Sequence, residues 1–118
     1  MKIRRGRDIA IKWEVMTDGK AEDLSSKKLT LQLVHPNGLT TDLTHKTEGA
    51  IITAEFLGKD QQRTGKYSLV LWVNKGEQGQ NVVDCPNAFQ LVPSTELEDD
   101  NLYCGIKASV GNITLKAI

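Results

Sequence analysis

Few residues of this 118-residue chain stand where chemistry would need them. His35 opens a His-Pro-Asn-Gly turn and His45 lies in a polar run, and neither sits at ligand spacing from Cys85 or Cys104. Two isolated cysteines are too few for a zinc site. No Gly-rich phosphate loop or nucleophile elbow is present. Both histidines are therefore expected in loops or at the surface, not as bases or metal ligands. The acidic run Glu96, Glu98, Asp99 and Asp100 lacks the spaced oxygen ligands that calcium takes, and reads as a solvated connection. The basic cluster Lys2, Arg4, Arg5 and Arg7 lacks the interleaved aromatics of a nucleic-acid surface. An alternative for that cluster is contact with the acidic run, within one chain or between chains, at ~0–1 kcal/mol per exposed pair. The expectation is a non-enzymatic protein with no metal and no cofactor.

Fifteen basic and fifteen acidic residues cancel. A neutral chain has no whole-molecule field to draw it to nucleic acid or an anionic membrane, so neither is expected as a partner. The basic start, Met1 to Arg7, is not followed by an apolar run, because Lys12 and Glu14 interrupt it. No stretch approaches the ~20 apolar residues that span a bilayer. Synthesis in the cytoplasm is expected, with Cys85 and Cys104 as reduced thiols.

The elements that must position any contact surface are strands. Ile9, Ile11, Trp13 and Val15 alternate with polar or small residues, as do Leu29, Leu31 and Leu33, and Ile52, Ala54 and Phe56. The run from Lys59 to Asn74 is a polar turn, a glycine and one strongly alternating strand. Tyr67, Leu69, Leu71 and Val73 share one of its faces, and Ser68, Val70 and Trp72 the other. Lys2–Arg4 and 39–44 read as edge strands. The segments 81–84 and 88–92 read as one strand broken near Pro86, which cannot join a regular ladder. Residues 21–27 read as a polar loop, and Thr17-Asp-Gly-Lys20 as a turn. Turn signals recur throughout, and no segment has a helical period, which predicts an all-β sandwich. At this length a single domain is expected, burying about 65% of its unfolded surface.

Trp13 is in phase with the core residues of its strand, so its role is structural. Trp72 and Val70 are out of phase with theirs. Either the second face of that strand is also covered, or Val70 and Trp72 mark a contact surface, on which an exposed tryptophan could also stack on a sugar. After the acidic linker at 94–101, residues 102–118 read as a hairpin around Gly111-Asn112, with Val110 opposite Ile113. That register gives Leu102, Cys104, Ile106, Val110, Ile113 and Leu115 one common apolar face. An isolated hairpin is marginal in water, so the face must be covered. It either completes the chain's own sandwich or forms an assembly arm on a neighbouring subunit. Residues 1–93 already supply a full strand count for a small sandwich, which favours the arm.

Gly65-x-Tyr67 at a strand entrance resembles the tyrosine corner of immunoglobulin-like sandwiches. A longer series extends the resemblance: Ile3-x-Arg5-Gly6-x-Asp8-x-x-Ile11-x-Trp13, Asp23-Leu24, Leu29-Thr-Leu31, Gly58-Lys-Asp60, Thr64-Gly65-x-Tyr67-x-Leu69 and Asp84-Cys85-x-x-Ala88-Phe89-x-Leu91-Val92. Over residues 1–93 this resembles the immunoglobulin-like domains of bacteriophage and prophage tail or baseplate proteins, similar to the N-terminal domain of baseplate upper proteins. The resemblance implies a virion-associated structural or adaptor module whose partner is itself or another virion protein. A carbohydrate-binding module using Trp72 is the alternative.

Overall fold

The structure is a computed structural model. It describes residues 2–17, 20–21, 23–96, 103–107 and 112–117, with Thr17 and the last two segments as backbone alone. Two sheets pack as a β-sandwich of immunoglobulin-like topology. One contains β1 (Lys2–Arg4), β10 (Asn81–Val92), β9 (Gly65–Val73), β5 (Leu29–Val34) and β6 (Thr40–Leu43), in that order. The other runs β11 (Tyr103–Lys107), β12 (Asn112–Ala117), β2 (Ile9–Glu14), β8 (Ile51–Phe56) and β7 (His45–Glu48). A short pair, β3 (Met16–Thr17) and β4 (Lys20–Ala21), stands apart, and positions 18–19 of the expected turn lie outside the described residues. No helix among the described residues is long and apolar enough to cross a membrane.

Alternation in the sequence becomes burial in the fold. Ile9, Ile11 and Trp13 of β2, Leu31 and Leu33 of β5, and Tyr67, Leu69 and Leu71 of β9 are all buried in one core. The intervening residues point outward, as the period of two requires. Pro86 lies within one continuous β10, and the register shifts between Cys85 and Phe89. The bulge absorbs the residue that cannot donate to the ladder.

Three local features differ from the sequence reading. β7 is a strand, although His45-Lys-Thr-Glu48 shows no alternation; it is a polar edge strand paired only with β8 among the described residues. Leu24, inside the expected polar loop, is fully buried and its N–H donates to the Gly49 carbonyl at 3.0 Å. The hairpin pairs Lys107 with Asn112, so its connection is 108–111 in place of the two-residue turn. Pairing with β2 competes with local turn preference here. Ile113 lies opposite Trp13 and Leu115 opposite Ile11 along the full length of β2.

At one end of the sandwich, two crossings between sheets are tied together. The chain leaves β1 in one sheet and enters β2 in the other through Arg5–Asp8. It returns from β8 to β9 through a 3-10 turn, Gly58–Asp60, and residues 61–64. The buried Gln61 side chain joins the two segments. Its Oε1 accepts from the Gly6 N–H at 2.7 Å, and its Nε2 donates to the Arg7 carbonyl at 2.6 Å. The Gly58 N–H donates to Asp8 Oδ1 at 2.7 Å, and Arg5 Nη1 donates to the Gln61 carbonyl at 3.2 Å. The approach is so close that a Cβ on Gly58 would lie 1.9 Å from the Gly6 carbonyl oxygen.

Gly58→Ala is therefore expected to cost about 3 kcal/mol, because backbone must move to admit the methyl group. The neighbouring Lys59→Ala, on an exposed side chain, should change stability by less than about 0.5 kcal/mol. Urea unfolding of the two variants checks the contrast.

Candidate functional site

The outer face of the β1–β10–β9–β5–β6 sheet carries the most developed surface feature. Register sets its composition. Trp72 lies between Val82 on β10 and Thr30 on β5, and Val70 lies between Asp84 and Gln32. Asp42 on β6 is opposite Gln32, and Val34 is opposite Ser68. Even-numbered positions on β5, β9 and the first half of β10 thus face outward, while Leu31, Leu69, Leu71, Val83 and Cys85 enter the core. The result is an apolar stripe of Val34, Val70, Trp72 and Val82 across three strands, rimmed by polar side chains. Val82 is 49% exposed.

Trp72 is half-buried on this face and held by its own sheet. Its indole N–H donates to Gln32 Oε1 at 2.9 Å, and Gln32 Nε2 in turn donates to Asp42 Oδ1 at 3.0 Å. Lys75 Nζ stands 5.1 Å from the ring centroid, within range of the ring quadrupole. A tryptophan with its one donor satisfied and a cation over its ring is a rigid contact residue. It is a poorer sugar platform, because the saccharide would have to displace the ammonium.

The other residues singled out in the sequence fall elsewhere. Trp13 is fully buried on β2. Gly65 opens β9 at φ 128°, and a Cβ there would lie 2.8 Å from the Pro36 ring. Tyr67 is buried, and its hydroxyl donates to the Arg63 carbonyl at 2.6 Å, which closes a tyrosine corner on the β8–β9 crossing. The apolar body of Tyr67 stacks on Phe89 with centroids 5.2 Å apart and 6° between the planes. The side chains of Leu102, Cys104, Ile106, Val110, Ile113 and Leu115 lie outside the described residues; the backbone places Cys104 opposite Leu115 and Ile106 opposite Ile113. Arg4 of the basic cluster meets the start of the acidic run through a backbone carbonyl, its Nε donating to the Glu96 oxygen at 2.6 Å.

A wide groove of about 1180 Å³ opens beside the β6 and β7 edges, where Thr41, His45, Phe56 and Arg63 line it together with His35. His35 lies just past the end of β5, in the connection the sequence predicts, and is half-buried there. Its ring packs edge-on against Tyr67 at 5.3 Å and Phe56 at 6.3 Å, and its Nε2 lies 2.7 Å from Thr41 Oγ1. His45 is half-buried on β7, with Nδ1 3.3 Å from the Leu43 carbonyl oxygen. Among the described residues no three His, Cys, Asp or Glu side chains converge to hold a metal ion. Cys85 is a free, buried thiol whose pKa is pushed up by burial and by the nearby Asp84 carboxylate.

Sequence reasoning singled out Trp72 and Val70 but not Val82, Gln32 or Lys75. Val82 could have been found from its phase opposite Val83. Its place beside Trp72 depends on the length of the 74–80 turn, which fixes the β9–β10 register. No family model, curated protein or solved structure matches this chain.

Desolvation, and then the charge of Arg63, lowers the His35 pKa below its ordinary value of 6.5. The folded protein therefore binds fewer protons at this site than the unfolded chain just below pH 6.5. The contribution of neutral His35 is fully present above that pH and is lost as the pH falls toward the folded pKa. Urea unfolding of the wild type and of His35→Gln is expected to diverge in pH dependence over that window, with the steeper acid loss in the wild type.

Proposed function

We propose that this chain is a non-enzymatic structural or adaptor module of a phage-like particle, acting through protein–protein association at the outer face of the β10–β9–β5–β6 layer. One observation carries the reading: Val82 is 49% exposed beside a half-buried, hydrogen-bonded Trp72, with Val70 adjacent and polar residues around them. A central aromatic within an apolar patch and a polar rim is the anatomy of a protein contact. The assignment to a phage-like particle rests on the motif series of residues 1–93. In such a setting the chain is made in the cytoplasm and then becomes virion-associated, bound to itself or to another virion protein.

A carbohydrate-binding module is the second reading, favoured by Gln32, Asp42 and Asp84 around Trp72. The Gln32 and Lys75 contacts of the ring weigh against it. A saturable change in tryptophan fluorescence on sugar titration, lost in Trp72→Ala, would move the assignment to that class.

The direct test is mass spectrometry of gradient-purified particles released after prophage induction of the producing cells. The chain is expected in the particle fraction, and a folded Val82→Asp variant is expected to be made but left out. A wild-type chain that accumulates in the cell and is missing from the particles contradicts the proposal.

A further inference from the structure

The outer face of the β10–β9–β5–β6 layer is charged in an order along its strands. At the level of Val70, Asp84 stands on one side, and Gln32 with Asp42 beyond it on the other. One step further is the row of Trp72 and Val82. Beyond that row β9 ends at Val73, and Lys75 lies over the Trp72 ring, 5.1 Å from its centroid. At the same end the Lys28 ammonium meets Glu77 at 3.8 Å. Asp84 and Asp42 thus lie on one side of the tryptophan row and the Lys75 ammonium on the other, where the Glu77 carboxylate is paired with Lys28. The ring holds that ammonium to the face, so it is partly pre-positioned before any partner arrives.

We propose that this face binds a second copy of the same chain, across a two-fold axis that crosses the strands at the Trp72–Val82 row. Such an axis reverses strand direction and lays the apolar row of one copy on that of the other. It also brings Asp84 of each copy toward Lys75 of its mate. The charge order is complementary to itself under that operation, which an isologous interface requires and a contact to an unrelated protein does not. The chain as a whole is neutral, so two copies approach without net repulsion. The proposal rests on the reading of this face as the association surface, and it names the partner.

Sedimentation equilibrium of the full chain tests it. A reversible monomer–dimer equilibrium is expected, and Val82→Asp should leave only monomer. Asp84→Lys alone and Lys75→Glu alone should each weaken the dimer by about tenfold or more, since each sets like charges against each other twice. An equimolar mixture of those two variants should restore the dimer to near wild-type strength, because every cross-contact is then between opposite charges. Asp84 and Lys75 are both exposed, so folding is not at stake, and circular dichroism checks it. A wild-type chain that stays monomeric at the highest concentration reached overturns the proposal. So does a dimer unaffected by these variants, or a mixture that fails to recover. If the monomeric chain is nevertheless incorporated into particles in a Val82-dependent way, the face belongs to a different virion protein, and only the second-copy assignment fails.

Discussion

Both ends of the Gln61 side-chain amide bond to the bend at Gly6 and Arg7, and the rest of the sandwich depends on that exchange. Each of the two segments it joins is a place where the chain changes sheet. Crossings are the weak points of a sandwich, because their backbone groups leave the ladders and need other partners. Here the Gly6 N–H, the Arg7 carbonyl and the Gly58 N–H find them in Gln61 and Asp8. The same crossing then carries the tyrosine corner from Tyr67 to the Arg63 carbonyl. Tyr67 in turn packs with Phe56 from the opposite sheet and with Phe89 and His35. One end of the molecule is thus a continuous assembly of hydrogen bonds and rings that fixes how the two sheets sit on each other.

That arrangement gives several of the residues singled out in the sequence a structural role. Arg5, Gly6 and Asp8, the Gly58-Lys-Asp60 turn and the Gly65-x-Tyr67 pair all have structural roles inside this end. Gly58 admits the Gly6 carbonyl where any side chain would collide with it, and Gly65 makes room for Pro36. These residues therefore define the fold and its crossings. Surface chemistry lies elsewhere, on outward positions of β5, β9 and β10, which the core leaves free to vary. The stripe around Trp72 uses that freedom, and its hydrogen bonds to Gln32 and through it to Asp42 stiffen the contact residue without contributing to the core.

Much of the fold was legible because most strands alternate cleanly. The inward series of β2, β5, β8 and β9 need only a period of two to be recognised, and Pro86 announces the β10 bulge. β7 was not legible: an edge strand of four polar residues has no buried face to impose a pattern. The connection of the hairpin was misread for a related reason. Gly111-Asn112 is a good local turn, but pairing with β2 constrains the register along six residues of β12. A slip by an even number of residues keeps the same side chains together, so the apolar pattern alone could not expose the error. Of the candidate surface, the outward phase of Val70 and Trp72 was visible. The partners that rank it above other surfaces, Val82 across one strand pair and Gln32 across another, are far apart in sequence and meet only through register.

Amide hydrogen exchange at Gly6 and Gly58 tests the tied crossings most directly. Both N–H groups lie outside the strands, and their acceptors are side chains, Gln61 Oε1 and Asp8 Oδ1. If the crossings hold the sandwich together, both amides exchange only with the slowest amides of β2 and β9, through opening of the whole domain. Exchange of either as fast as unbonded surface amides, while β2 and β9 stay protected, would contradict the account.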